Sequence, residues 1–152
     1  MLKTACHVSR AVGAHTAWHA FRWGVTAAFA ALVTRFCLMP GKQLPQVQFL
    51  DFPQADKLVH FCLFGLLAGL MCWAADARCR HRKAALLALV AVSAYGSLIE
   101  VLQPLLLPND RCFSLGDIAA NILGAAFFAG IFLALRQWAD RRHRPTVLRP
   151  SA

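Results

Sequence analysis

Three pairs of polar or ionisable side chains interrupt otherwise apolar stretches of this sequence. The two members of each pair are three or four residues apart. Residues at these separations lie on one face of an α-helix, so each pair predicts a polar stripe on an otherwise apolar helix. The pairs are Asp56 with His60, Glu100 with Gln103, and Asp117 with Asn121.

Acid–base chemistry is the first function that these residue types suggest. A histidine titrates near neutral pH, and a carboxylate beside it can give or take the same proton. The candidate catalytic residues are therefore His60, Glu100 and Asp117. The sequence offers no clear nucleophile, because Cys112 and Ser114 are candidates only by their proximity to these residues.

Binding of an anionic or sugar-bearing substrate is the second function that the polar residues suggest. Arg111 could hold a phosphate through its bidentate guanidinium, and Lys57 could do so as a point charge. Amide and carboxylate groups would bind the remaining polar atoms of such a substrate. The candidate substrate-binding residues are Asp56, Lys57, Gln103, Arg111 and Asn121.

The same residues also have structural interpretations. Asp56 and Asp117 could stabilise the N-termini of their helices, although Ser114 is the more natural N-cap for the second of these helices. Gln103 and Asn121 could each form a hydrogen bond between helices. A structural role is hardest to assign to Glu100. It lies inside an apolar run near the C-terminal end of its helix, where the helix dipole disfavours an acid.

A metal site is a further interpretation of the polar residues. Carboxylates and an imidazole are suitable ligands for a divalent ion, and they are available at Asp56, His60, Glu100 and Asp117. The two nearby cations, Lys57 and Arg111, oppose a highly charged metal site. We therefore predict neither a bound metal nor a cofactor.

The composition is that of an integral membrane protein. The 152 residues are 59% hydrophobic and 15% charged, whereas soluble domains contain about 25% charged residues. These values exclude a disordered chain and disfavour a soluble enzyme. The long apolar runs do not alternate with polar residues, so they predict helices and not the strands of a β-barrel.

We therefore predict an all-α, polytopic membrane protein built as a bundle of four transmembrane helices. A basic N-terminal segment, residues 1–20, precedes a membrane domain at residues 21–138, and a basic tail follows at residues 139–152. The predicted helices span residues 22–39, 57–76, 84–103 and 115–137.

The distribution of charge predicts the orientation of these helices. The net charge is +9, and most of the cations lie at the two termini and between the second and third helices. The other side carries only Lys42, Lys57 and Arg111. The positive-inside rule therefore places both termini in the cytoplasm. This topology explains the basic composition, so no nucleic-acid partner is predicted.

The polar pairs then lie at one depth, at the outer ends of three helices. A charged residue that faces lipid costs roughly 2.5–3.5 kcal/mol at mid-membrane, so the three stripes should face one another and form a pocket that opens outward. Glycines on the same helices predict close helix packing. These glycines are Gly65, Gly69, Gly96, Gly124 and Gly130.

The polar pairs belong to longer motifs that resemble those of the VanZ-like family of bacterial membrane proteins. The resemblance covers residues 54–130 and implies a small polytopic protein of the bacterial inner (plasma) membrane. The family's namesake is associated with resistance to lipid-tailed glycopeptide antibiotics, a phenotype that we do not transfer to this chain. The motifs are Asp56-Lys57-x-x-His60-Phe61-x-x-Phe64, Tyr95-Gly96-x-x-x-Glu100-x-x-Gln103 and Arg111-x-x-Ser114-x-x-Asp117-x-x-x-Asn121-x-x-Gly124.

The resemblance and the outward pocket together predict recognition of a cell-envelope lipid or its phosphate or sugar headgroup. Modification of that lipid is a further step that the sequence leaves open. The expected partners are membrane lipids, including a lipid-linked envelope intermediate, and a homo-oligomer is also left open. The alternatives are a non-catalytic accessory or scaffold protein and a small lipid or proton-coupled transporter.

Overall fold

The chain folds into four α-helices. The computed structural model describes residues 2–40, 54–76, 80–108 and 112–142, with side chains from residue 16 onward. The helices are α1 (Leu2–Cys37), α2 (Ala55–Ala75), α3 (His81–Leu106) and α4 (Leu115–Arg142). The predicted all-α fold class is therefore confirmed, and most of the segment between the first two predicted helices lies outside the described residues.

The first helix is longer than the apolar run that predicted it. The sequence separates a basic segment at residues 1–20 from a helix at residues 22–39, whereas α1 is continuous from Leu2 to Cys37. No proline occurs before Pro40, so no residue of α1 lacks the backbone N–H that a helix requires. The other three helices each contain most of the apolar run that predicted them.

Three of the described helices, α2, α3 and α4, are long and apolar enough to cross a membrane. Less than half of each apolar stretch is buried inside the protein. Large apolar side chains such as Leu86, Leu123 and Leu135 are exposed on these helices. Such a surface suits a hydrocarbon environment. The fourth predicted span, at residues 22–39 of α1, stays a prediction.

Helix α2 packs most extensively against α4, and glycine makes their close approach possible. A Cβ atom added to Gly124 would lie 2.1 Å from the backbone carbonyl oxygen of Phe61. A Cβ added to Gly65 would lie 3.0 Å from the carbonyl oxygen of Gly124. The prediction of close packing holds at these two glycines, but it is wrong at Gly130, whose Cβ would meet no atom within 4 Å.

Helix α1 packs beside α2. Polar side chains of α3 also form hydrogen bonds to α1. The hydroxyl of Tyr95 donates a hydrogen bond to the carbonyl oxygen of Ala30 at 2.9 Å and also contacts the Thr34 hydroxyl. Nearer the end of α1, the amide Nε2 of Gln103 donates to the carbonyl oxygen of Cys37 at 2.9 Å. Both bonds reach carbonyl groups of α1, so they fix its position along α3.

We expect Tyr95→Phe to lower the free energy of unfolding by about 1 kcal/mol, because the substitution removes the partly buried hydroxyl that donates to Ala30 and contacts Thr34. Denaturant titration of the protein in detergent micelles would measure this change. Ser97→Ala is the matched control, since the Ser97 hydroxyl donates only to Ser93 within the same helix. If Tyr95→Phe and Ser97→Ala lowered the free energy of unfolding equally, the role of Tyr95 in holding α1 would be contradicted.

Candidate functional site

Polar side chains from three helices meet at one end of the bundle. Because α3 runs antiparallel to α2 and α4, its C-terminal end lies beside their N-terminal ends. Contacts described below join residues of α2 to α4 and α3 to the segment before α4. We call this group of residues the polar cluster, and it consists of Asp56, Lys57, His60, Glu100, Asp117 and Asn121.

His60 is the residue that joins α2 to α4 in the polar cluster. It is buried, and its Nδ1 lies 3.0 Å from Oδ1 of Asn121. Because an amide oxygen only accepts hydrogen bonds, Nδ1 donates in this contact. The other ring nitrogen, Nε2, lies 3.9 Å from Oδ1 of Asp56. That distance is longer than a hydrogen bond, so a ligand atom between the two groups could bind both.

Asp117 lies in the first turn of α4 and faces Lys57. Its Oδ1 is 3.7 Å from Nζ of Lys57, and its backbone N–H donates to the hydroxyl of Ser114 at 3.3 Å. Ser114 is therefore the N-cap of α4, as the sequence favours. The carboxylate of Asp117 is not used for capping, so it is available to the polar cluster.

Glu100 is fully buried near the C-terminal end of α3. Its Oε1 accepts a hydrogen bond from the backbone N–H of Ser114 at 2.8 Å. This bond connects α3 to the residues that begin α4. One carboxylate oxygen of Glu100 thus has a structural role that the sequence does not reveal.

Several buried polar atoms of the cluster make no hydrogen bond with any described residue. They are Oε2 of Glu100, Oδ1 of Asp117 and Nδ2 of Asn121. An unsatisfied buried group costs about 1–3 kcal/mol, so such groups are rare in folded proteins. Two hydrogen-bond acceptors and one donor are therefore available to a ligand.

One of the predicted substrate-binding residues has a different partner in the structure, and another cannot be placed. Gln103 is buried, but its amide nitrogen bonds to Cys37 of α1. Arg111 lies outside the described residues. Asp56 does join the cluster through His60, although its side chain is 54% exposed, which places it at the mouth of the site.

A second group of charged residues lies at the opposite end of the bundle, and the sequence analysis did not identify it. Asp76 is partnered on both oxygens, since it contacts the His81 imidazole and lies 2.7 Å from Nη2 of Arg136. Nε2 of His81 is also 3.3 Å from Oδ2 of Asp140. These ion pairs connect α2, α3 and α4. Because both carboxylate oxygens of Asp76 have partners, we interpret this group as a structural link between the three helices.

Comparison with known protein families relates this chain to one family. The chain matches the VanZ/LLP1 family over residues 10–136, a range that contains every residue of the polar cluster. Searches of curated proteins and of solved structures found no match. Since the family match covers well over half of the chain, this protein belongs to the VanZ/LLP1 family.

Proposed function

We propose that the protein crosses the bacterial inner membrane four times, with both termini in the cytoplasm. The basic residues at the termini and between α2 and α3 support this orientation. Cation–π contacts at the same end also support it, because aromatic and basic residues collect at membrane interfaces. The Arg22 guanidinium lies 4.6 Å from the Trp73 ring, and that of Arg142 lies 3.8 Å from the Trp138 ring.

We further propose that the polar cluster binds the phosphate- or sugar-bearing headgroup of a cell-envelope lipid. The observation that carries this proposal is the set of buried, unsatisfied polar atoms on helices long enough to span a membrane. In the proposed orientation they lie toward the outer leaflet. A lipid headgroup could reach this depth while its tail stays in the hydrocarbon core.

The charges and hydrogen-bonding groups of the cluster suit such a headgroup. The side chain of Lys57 is 44% exposed, so its ammonium group can meet a phosphate at the mouth of the site. The Asn121 amide can donate a hydrogen bond, while the free oxygens of Glu100 and Asp117 can accept bonds from sugar hydroxyls. Arg111 remains a predicted second contact to phosphate.

Modification of the bound headgroup, by transfer or hydrolysis, would use His60 as the acid–base group. Its Nε2 lies on the side of Asp56, and its Nδ1 is held by Asn121. The hydroxyl of Ser114 accepts a hydrogen bond from the backbone of Asp117. Because Ser114 already acts as a helix cap, it is a poor candidate for a nucleophile.

A non-catalytic scaffold is the second candidate function. The hydrogen bond from Ser114 to Glu100 favours it, since this bond joins α3 to the start of α4. Transport has less support, because the ion pairs of Asp76 hold the same three helices together at the opposite end.

A lipid-binding experiment tests the headgroup proposal. We would add an anionic phospholipid, a polyprenyl phosphate or a neutral glycolipid to the purified protein in detergent and measure thermal unfolding. One lipid class is expected to raise the Tm of the wild type. Lys57→Met should weaken binding of a phosphate-bearing lipid about tenfold or more, because a charge-assisted contact is lost.

Lys83→Met is the matched control, since Lys83 is an exposed lysine at the opposite end of the bundle. This variant should respond to the lipid as the wild type does. A response to the glycolipid alone would assign the site to a sugar. If no lipid class changes the Tm of the folded wild type, the headgroup proposal is wrong and the scaffold function is favoured.

A further inference from the structure

We propose that Asp56, His60 and Asp117 form a binding site for one divalent transition-metal ion. One ligand atom from each of these residues lies within 4.8 Å of the other two. Two atoms bound to the same ion at about 2.0–2.2 Å are at most about 4.4 Å apart. Asp56 is exposed, so rotation of its side chain can adjust the position of its carboxylate.

The orientation of His60 is that of a metal ligand. Its Nδ1 donates to Oδ1 of Asn121 at 3.0 Å, which in the neutral ring leaves the lone pair on Nε2. Histidines that bind metals characteristically donate their other ring N–H to an oxygen in this way. The contact therefore directs Nε2 toward the side of the ring where the Asp56 carboxylate lies.

A second observation is that two buried carboxylate oxygens near the site make no hydrogen bond with the described residues. The Asp117 side chain is only 9% exposed, and its buried Oδ1 makes no hydrogen bond to any residue that the structure describes. Glu100 has a similarly unsatisfied Oε2 and lies within electrostatic range of Asp56, His60 and Asp117. A dication would bind Asp117 directly, and the carboxyl group of Glu100 would lie near it.

Lys57 is the competing cation, and two such cations are the reason that the sequence analysis disfavoured a metal. Its Nζ is 3.7 Å from Asp117, which is too far for a hydrogen bond. The lysine side chain is partly exposed and flexible, so its ammonium group can leave when an ion binds. Arg111, the other cation, lies outside the described residues.

The ligand set favours a particular class of ion. One imidazole and two carboxylates suit Mn²⁺ or Zn²⁺, whereas Ca²⁺ and Mg²⁺ prefer oxygen ligands alone. This inference does not depend on lipid binding. It does change the role of His60, because a nitrogen that binds a metal ion cannot at the same time act as a base.

The test uses the full-length protein in detergent, treated with a chelator and then titrated with Mn²⁺ alone. We expect one bound Mn²⁺ per chain by electron paramagnetic resonance, with a nitrogen coupling from the imidazole. His60→Ala should remove this coupling, and both His60→Ala and Asp117→Asn should weaken binding at least tenfold. His81→Ala should bind as the wild type does, although His81 also lies between two carboxylates.

Lys57→Met provides the decisive comparison because it keeps all three ligands and removes the competing cation. We expect this variant to bind Mn²⁺ more tightly than the wild type, whereas the same change should weaken binding of a phosphate-bearing lipid. Absence of bound Mn²⁺ in both the folded wild type and Lys57→Met would overturn the proposal. Binding that His60→Ala leaves unchanged in a folded protein would also overturn it.

Discussion

Gly124→Ala is expected to lower the free energy of unfolding by about 3 kcal/mol, at the upper end of the usual cost of overpacking. The new Cβ would lie 2.1 Å from the carbonyl oxygen of Phe61 and 3.0 Å from its Cα. These are backbone atoms of α2, so no side-chain rotation can relieve the contact. The two helices would have to separate.

A matched pair of variants on α4 isolates this effect. Gly130→Ala makes the same chemical change on the same helix, but its Cβ would meet nothing within 4 Å. We expect Gly130→Ala to leave stability unchanged or to raise it by up to about 1 kcal/mol, since alanine favours a helix over glycine. Denaturant titration in mixed micelles would compare the two variants.

Gly65→Ala should have an intermediate effect. Its Cβ would lie 2.5 Å from the side chain of Phe128, which can rotate, and 3.0 Å from the backbone oxygen of Gly124. If Gly124→Ala and Gly130→Ala were equally stable, the inferred close contact between α2 and α4 at Gly124 would be contradicted.

The packing of α2 against α4 also supports the polar cluster. Asn121 precedes Gly124 by less than one helical turn, and its amide oxygen binds His60 of α2. Separation of the helices by Gly124→Ala would lengthen this contact. We therefore expect ligand binding to fall together with stability in this variant, even though Gly124 contributes no side chain.

The sequence predicts much of this site because helical spacing is a local property. The apolar runs indicate α2, α3 and α4, and the separation of Asp117 from Asn121 places both on one face of α4. The same reasoning is insufficient for Glu100 and Gln103. Residues three apart differ in direction by about 60° around a helix, which is enough for Gln103 to bind α1 while Glu100 binds the start of α4.

Contacts between distant parts of the chain explain what the sequence did not predict. Gly124 and Gly130 are the same residue type on one helix, yet only Gly124 lies at the crossing with α2. Asp76 and Arg136 are 60 residues apart in the numbering and meet only in the folded chain. Neither contact leaves a local pattern in the sequence.

Glu100→Leu is expected to abolish ligand binding without unfolding the protein. Leucine removes a buried carboxyl group that has one unsatisfied oxygen, and burial of an unsatisfied polar group costs free energy that an apolar side chain avoids. The loss of the hydrogen bond from Ser114 acts in the opposite direction, by about 1–3 kcal/mol. We expect the two effects to leave stability within about 2 kcal/mol of the wild type.

Glu100→Gln separates the two oxygens of this carboxylate. Glutamine keeps an oxygen that can accept the hydrogen bond from Ser114, and it replaces the unsatisfied acceptor by an amide donor. We therefore expect stability close to that of the wild type and a lost lipid response. Denaturant titration and the lipid-induced change in Tm, measured on the same preparation, would test both expectations.

The results for Glu100→Leu and Glu100→Gln together distinguish a ligand-binding role of Glu100 from a purely structural role. If Glu100 served only to fix the start of α4, Glu100→Gln would retain the lipid response and Glu100→Leu would lose stability and response together. If the unsatisfied oxygen faces a ligand, both variants lose the response while the protein stays folded. A stable but unresponsive Glu100→Leu would show that the buried acid is retained for binding, since an apolar side chain would otherwise serve the fold equally well.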